Sequence, residues 1–348
     1  MFDRRDLLKS AVGLGLAGAL GCAGTPRRPS LIADENRKPG TTSWLLAPAA
    51  PRKELRDPVI EGYCSRTSVR AGDPLSVMVS ADGSFHLDIY RLGYYGGQGG
   101  RHVRGFEGEA RRQPDPSAGE DRLRECRWTP SLTFSIPDDW VSGVYLGKLR
   151  TSKAESYVIF IVRDDRPCDF LFQCSDTTWA AYNRWPLKDS LYDDGKLDWY
   201  TGPGVAVSFD RPYAKYRQIF DAPLSQGSGE FLLWEFPLAF WMESKGYDVS
   251  YISNLDTHVE APLRAKAFLS VGHDEYWTRP MFDHALAAVH AGVNMAFFSG
   301  NSVDGLIDLR GRAFSRLGKF GVFEHELKKF EKPWKEHGPN PATLMGAR

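Results

Sequence analysis

Side chains that could exchange protons or hold a metal stand together at His273, Asp274 and Glu275. An imidazole and two carboxylates in three positions suit general acid–base work or ligation. They follow Phe268-Leu-Ser-Val271, an apolar run of the length of a buried strand, which stops at Gly272. Thr278 and Pro280 then sit where helix starts carry a cap and a first-turn proline. A buried strand thus ends in a burst of titratable groups, and a helix begins at once. In open α/β sheets, ligands bind at the carboxyl ends of the strands. The same three residues also suit a solvated polar loop, so position alone leaves both readings open.

Other strand-like runs end in polar residues too. Asp169-Phe-Leu-Phe-Gln-Cys174 leads through Ser175-Asp176 into Thr177–Asn183, and Val293-Asn-Met-Ala-Phe-Phe298 ends at Ser299-Gly-Asn301. Asp210 and Tyr213 follow Val205-Ala-Val-Ser-Phe209. In a parallel sheet these ends share one edge and can converge. A serine triad is excluded because there is no Gly-x-Ser-x-Gly elbow. Cys174 lies inside an apolar run, where a thiol is usually inert. No Cys/His cluster has zinc spacing. Hard oxygen donors fit better: a carboxylate such as Glu275 with tyrosine phenolates, a set that favours Fe³⁺ over Zn²⁺. A bound cation would pull a phenol below its usual pKa of about 10. Residue type does not choose among the 14 tyrosines, and each taken singly reads more readily as a core or rim aromatic.

The elements that must position these groups change character along the chain. From Ile60 to Val162 short alternating runs recur, among them Leu75–Val79, Phe85–Tyr90, Trp140–Leu146 and Tyr157–Val162, separated by Gly, Pro and Asp turns. That spacing predicts an Ig-like β-sandwich over residues 58–163. Arg163-Asp-Asp-Arg-Pro167 reads as a hinge. Beyond it, strands at Asp169–Cys174, Val205–Phe209, Asp248–Ile252, Phe268–Val271 and Val293–Phe298 alternate with helical stretches, notably Pro237–Lys245 and Met281–His290. This predicts an α/β domain over 167–348 with a parallel sheet covered on both faces, giving an α+β two-domain chain. The signal fades after Asn301, and the domain is expected to be incomplete at its C-terminus.

The 348 residues carry 44 basic and 44 acidic side chains, so no net field argues for nucleic acid or an anionic membrane. Asp3-Arg4-Arg5-Asp6-Leu7-Leu8-Lys9 followed by the apolar Ala11–Leu20 has the pattern of a twin-arginine export signal over 1–22. Ala19-Leu20-Gly21-Cys22 resembles a lipoprotein cleavage site, so the chain is expected to be exported to the periplasm or outer cell surface. Its membrane contact would be only through a lipid on Cys22. Residues 23–57 read as a tether. The remaining Cys64, Cys126, Cys168 and Cys174 are expected to be buried small residues or to include one disulfide.

Five segments together carry a resemblance. Thr177-Thr-Trp-Ala-Ala-Tyr-Asn-Arg-Trp185, Ser208-Phe-Asp-Arg-Pro-Tyr213, Gly246-Tyr-Asp-Val-Ser-Tyr251, Ser270-Val-Gly-His-Asp-Glu-Tyr-Trp277 and Ala296-Phe-Phe-Ser-Gly-Asn301 resemble, in order, the catalytic C-terminal region of the N,N-dimethylformamidase large (β) subunit family. The resemblance implies a glutamine-amidotransferase-like α/β fold and a mononuclear ferric ion held by Tyr182, Tyr213 and Glu275, with His273 and Asn301 beside it. The expected activity is hydrolysis of a small amide C–N bond. Glu275 would take a proton from water, His273 would orient water or protonate the leaving amine, and Asn301 would donate to the oxyanion. The export leader departs from the family, and the segment after Asn301 falls short of its catalytic region. The competing expectation is an exported lipoprotein binding module with the α/β part kept as a scaffold. An oligomer is compatible with either.

Overall fold

The computed structural model describes residues 30–47, 54–196, 199–215, 226–321 and 336–346. The expected export signal, Cys22 and the first part of the tether lie outside the described residues. The chain is mixed α+β, with several sheets and few helices. No described helix is long and apolar enough to cross a membrane.

After helix α1 (Leu31–Glu35), the first half is built of strands β1 (Glu61–Cys64), β2 (Ser68–Val69), β3 (Pro74–Ser80), β4 (Gly83–Leu92), β5 (Gly100–Ala110), β6 (Leu132–Ser135), β7 (Gly143–Arg150) and β8 (Glu155–Val162). They form a three-stranded sheet β1-β3-β6 and a five-stranded sheet β2-β8-β7-β4-β5. Leu75, Val77 and Val79 of one sheet meet Leu87, Leu149, Val158 and Phe160 of the other in a shared core. Strand β8 reads as an almost unbroken apolar run because both of its faces are buried. Val158 and Phe160 point into that core, whereas Tyr157, Ile159 and Ile161 point the other way, into a second core.

The second core joins the halves. The later elements are β9 (Cys168–Cys174), α2 (Asp176–Tyr182), β10 (Ala206–Ser208), α3 (Phe231–Trp234), α4 (Phe236–Ser244), β11 (Val249–Ser253), α5 (Asn254–Val259), β12 (Ala265–Gly272), β13 (Tyr276–Trp277), α6 (Arg279–His290), β14 (Asn294–Ser299), β15 (Gly305–Arg310) and β16 (Ala313–Phe320). Strands β11-β9-β12-β14 form a sheet parallel throughout. One of its faces packs Met281, Phe282, Ala285 and Ala288 of α6 against Leu171, Ile252 and Phe268. The start of α6 is fixed as its sequence requires: the Thr278 side chain caps the Met281 N–H, and proline occupies the first turn. The other face, expected beneath helices, is covered largely by the five-stranded sheet. Leu146, Ile159 and Ile161 lie against Phe172, Val249, Tyr251 and Leu269, with α3 and α4 alongside. A fully buried ion pair crosses this junction: Arg91 Nη2 lies 2.9 Å from Glu243 Oε1, and the Tyr251 hydroxyl donates to the same oxygen at 2.9 Å.

A further sheet, β10-β16-β15-β13, stands beside the parallel one. Strand β10 was expected within the parallel sheet; it pairs antiparallel with β16 instead. Its partner lies in the region past Asn301, where the sequence pattern fades, so the pairing was invisible. The described cysteines Cys64, Cys126, Cys168 and Cys174 are all free and buried, so none of them forms the disulfide that was one of two expectations.

Candidate functional site

The chain crosses from the parallel sheet to the neighbouring sheet through His273-Asp274-Glu275, between β12 and β13. Gly272 makes the crossing sharp. Its φ is +86°, and a Cβ there would stand 2.6 Å from Glu235 Cγ, so a side chain is excluded on both counts. The Asp304 and Gly305 N–H groups both donate to the Glu275 carbonyl, at 3.0 and 2.9 Å, and lock the crossing to the start of β15.

Alternate residues of this link point in opposite directions. Asp274 turns inward and is fully buried. It accepts from Gln173 Nε2 and Ser270 Oγ at 2.7 Å each, and from Asn254 Nδ2 at 2.8 Å. Glu275 turns towards a cluster of tyrosines. The Tyr182 hydroxyl donates to its Oε2 at 2.7 Å, and the Tyr192 hydroxyl lies 3.1 Å from its Oε1 and 2.8 Å from the Tyr182 hydroxyl. Behind Tyr192, the Tyr276 hydroxyl donates to it at 2.5 Å, and Arg316 Nη2 donates to Tyr276 at 2.8 Å. Arg316 also lies over the Tyr192 ring, 5.0 Å from its centroid.

His273 sits between two carboxylates. Its Nε2 is 3.1 Å from Glu275 Oε2 and its Nδ1 is 3.4 Å from Glu230 Oε2. Burial opposes the charged imidazole, but the hydrogen bonds and charges of Glu230 and Glu275 outweigh it and lift its pKa to about 10. Burial would raise Glu275 as well; His273 and the two phenols reverse this and leave it below the usual carboxylate value. Burial, reinforced by the Glu275 charge, pushes the Tyr182 and Tyr192 phenols well up. Burial raises Glu230 too. The amide Nδ2 of Asn301 stands 3.4 Å from His273 Nε2, at the exposed edge of the cluster. A pocket opens beside these residues, lined among others by Tyr182, Tyr192, Trp199, Tyr213 and Glu230.

The five residues expected at the centre therefore meet in part. Tyr182, His273, Glu275 and Asn301 are brought together. Tyr213 lines the pocket, but its hydroxyl is buried without a hydrogen-bond partner and makes no bond to Glu275. The physical reason is the placement of β10: Asp210 and Tyr213 leave a different sheet from the one assumed. Asp210 pairs with Arg312 at 2.7 Å instead of joining the cluster. The second phenol on Glu275 is Tyr192. It comes from the loop after α2, which carries no periodic pattern. In the same Ser208–Tyr213 segment the structural weight falls on Arg211. Fully buried, it donates to the carbonyls of Ala180, Asn183, Trp185, Asp189 and Ser208 and so ties the end of α2 to the loop that carries Tyr192. Burial lowers its pKa to about 10.

Could these oxygens hold a metal? Two phenol oxygens and both oxygens of one carboxylate lie 2.7–3.1 Å from their neighbours. Metal–oxygen bonds of about 2 Å at right angles would place ligand oxygens roughly 2.8 Å apart, so the cluster has the spacing of one coordination sphere. The donors are all hard, which suits a highly charged cation. Among the described residues no group of three His, Cys, Asp or Glu side chains is placed to hold a metal, here or elsewhere, so any ion at this centre would depend on the phenols.

A mixed α+β protein with a tyrosine–carboxylate centre at a strand end is the class that these features define. Residues 86–317 match the family described as N,N-dimethylformamidase beta subunit-like, C-terminal, and the chain belongs to that family. It is similar to the N,N-dimethylformamidase beta subunit of Alcaligenes sp, with 28% identity over 200 residues. That match covers 46% of this chain and 25% of the relative.

Proposed function

We propose that the protein is a hydrolase of small amides whose centre is Glu275 with Tyr182 and Tyr192, and that these residues hold a ferric ion. The observation that carries the reading is the meeting of two phenol oxygens from separate segments on the two oxygens of one buried carboxylate. Family membership supports amide hydrolysis as the class of reaction. The ion, when bound, would supply a Lewis acid to polarise the amide carbonyl and bring water to attack at neutral pH.

The protein's own residues account for the rest. Tyr276 and Arg316 hold the Tyr192 hydroxyl on its line to Glu275. His273, kept charged by its two carboxylates, is equipped to donate a proton to the departing nitrogen rather than to act as a resting base. Asn301, next to it, is placed to donate to an oxygen that gains charge in the transition state; such a contact is typically worth about 2.7–4 kcal/mol. Glu275, held in the carboxylate form, can receive the proton of an attacking water. The aromatic walls of the adjoining pocket suit a small, weakly polar substrate.

The test is metal analysis of the purified protein together with hydrolysis of formamide and N,N-dimethylformamide. Iron near one equivalent, a visible tyrosinate-to-iron band and release of amine are the expected results. Folded, metal-free protein that binds no added iron would sink the metal; iron-loaded protein inert towards both amides would sink the substrate class.

A further inference from the structure

On the outer side of the loop that carries Tyr192 lies a groove of about 360 Å³, within the roughly 300–1,000 Å³ common for small-ligand sites. Four basic side chains line it, Arg122, Arg124, Lys188 and Lys196, against two acidic ones, Asp189 and Asp193. Both acids already have cations. Asp189, with its side chain 1% exposed, accepts from Arg122 Nη2 and Arg124 Nε at 3.2 Å each. Asp193 is held by Arg184, which donates to its Oδ1 at 2.6 Å and its Oδ2 at 3.1 Å.

The two arginines come from the connection between β5 and β6, and the two lysines from the 186–196 loop, so the groove is assembled from both halves of the chain. Arg122 Nε also donates to the Asp193 carbonyl, and Arg124 Nη1 to the Pro116 carbonyl. Each guanidinium is thereby fixed in place. Arg122 Nη1 and Arg124 Nη2 have no acceptor among the described residues. Gly195 lets Arg122 lie close to the loop, since a Cβ there would stand 2.4 Å from Arg122 Nη1. Two oriented guanidinium forks beside the ammonium group of Lys196, in a concavity whose described lining carries more basic than acidic side chains, suit a compact divalent oxyanion.

We propose that this groove is a binding site for a phosphate-class oxyanion, separate from the tyrosine–carboxylate centre and independent of what that centre does. Arg122 and Arg124 would orient the oxyanion, and Lys196 would add charge at the mouth.

Calorimetric titration of the full chain at fixed ionic strength tests this, with inorganic phosphate, glycerol phosphate and acetate as probes and chloride as the control for screening. Saturable binding of phosphate, of glycerol phosphate or of both, with acetate far weaker, is expected. Lys196→Gln should weaken it by about tenfold, near 1.4 kcal/mol, while leaving the circular dichroism unchanged. Arg124→Gln provides a second variant in which the Arg122–Asp189 contact remains. Preference for the ester over the free ion would assign the ligand to a phosphorylated molecule; the reverse would assign it to inorganic phosphate. Heats no greater than those from chloride, or binding equally strong in both variants, would overturn the proposal.

Discussion

Asp274 and Glu275 are neighbours in the chain and opposites in setting. Asp274 is enclosed by Gln173, Ser270 and Asn254, which together join β9, β12 and α5. Burial raises its pKa, but every contact is internal and none reaches the pocket. Glu275 faces two phenols and an imidazole beside a cavity. Both are buried acids with several donors, so burial and hydrogen bonding alone do not mark a site. What separates them is the company: amides and a hydroxyl that saturate one, and groups able to titrate, ligate or move a proton around the other.

The sharpest way to break this contrast is Glu275→Gln. Amide hydrolysis should fall by about 10²–10⁴-fold, with the fold retained, in steady-state kinetics paired with thermal unfolding. A variant that melts at a much lower temperature but keeps its specific activity while folded would reverse the assignment. Asp274→Ala should do the opposite. It leaves three buried donors unmatched and should cost about 3 kcal/mol or more in urea unfolding, while the folded fraction keeps its activity. Tyr192→Phe and Tyr213→Phe sharpen the choice of phenol. The first should lower the turnover by about tenfold or more, equivalent to about 1.4 kcal/mol. The second removes a hydroxyl that has no partner, and should leave turnover unchanged and stability equal or slightly higher.

The smallest effect concerns a third acid, Asp176. Its carboxyl is buried, with Oδ1 accepting from the Asn254 N–H and Oδ2 unpartnered, and burial lifts its pKa from 3.8 to about 8. The folded state therefore holds more protons than the unfolded chain between those values, so this group makes stability fall as the pH rises through that window. Asp176→Asn keeps an oxygen for Asn254 and should flatten the fall, gaining about 1 kcal/mol at pH 8. Melting temperatures of the two proteins from pH 5 to pH 8 provide the check, and parallel curves would refute it.

The strands and the link at His273–Glu275 were legible because apolar runs, glycine stops and a capped helix start are local signals. The capping threonine, the Pro280 turn and the stop at Gly292 all lie where the pattern places them. Sheet membership is not local, and this is why β10 was assigned to the parallel sheet. Tyr192 had no signal of its own; its position depends on Arg211 and on a hydrogen-bonded turn in which Ser190 Oγ donates to Asp193. Arg316 did have one. It occupies an inward position of β16 between Phe314 and Gly318, and an arginine on the buried face of an alternating strand must meet a partner. Glu230 precedes an apolar helix and gives no hint in the sequence that it faces His273.

Strand β8 belongs to two cores at once, and this governs how the chain can be cut. Severing the chain at Arg163 would free the first half with Tyr157, Ile159 and Ile161 turned to water and with Arg91 stripped of its ion pair with Glu243. The excised half would present a sticky apolar wall. Limited digestion should accordingly spare this joint and nick the surface loops first.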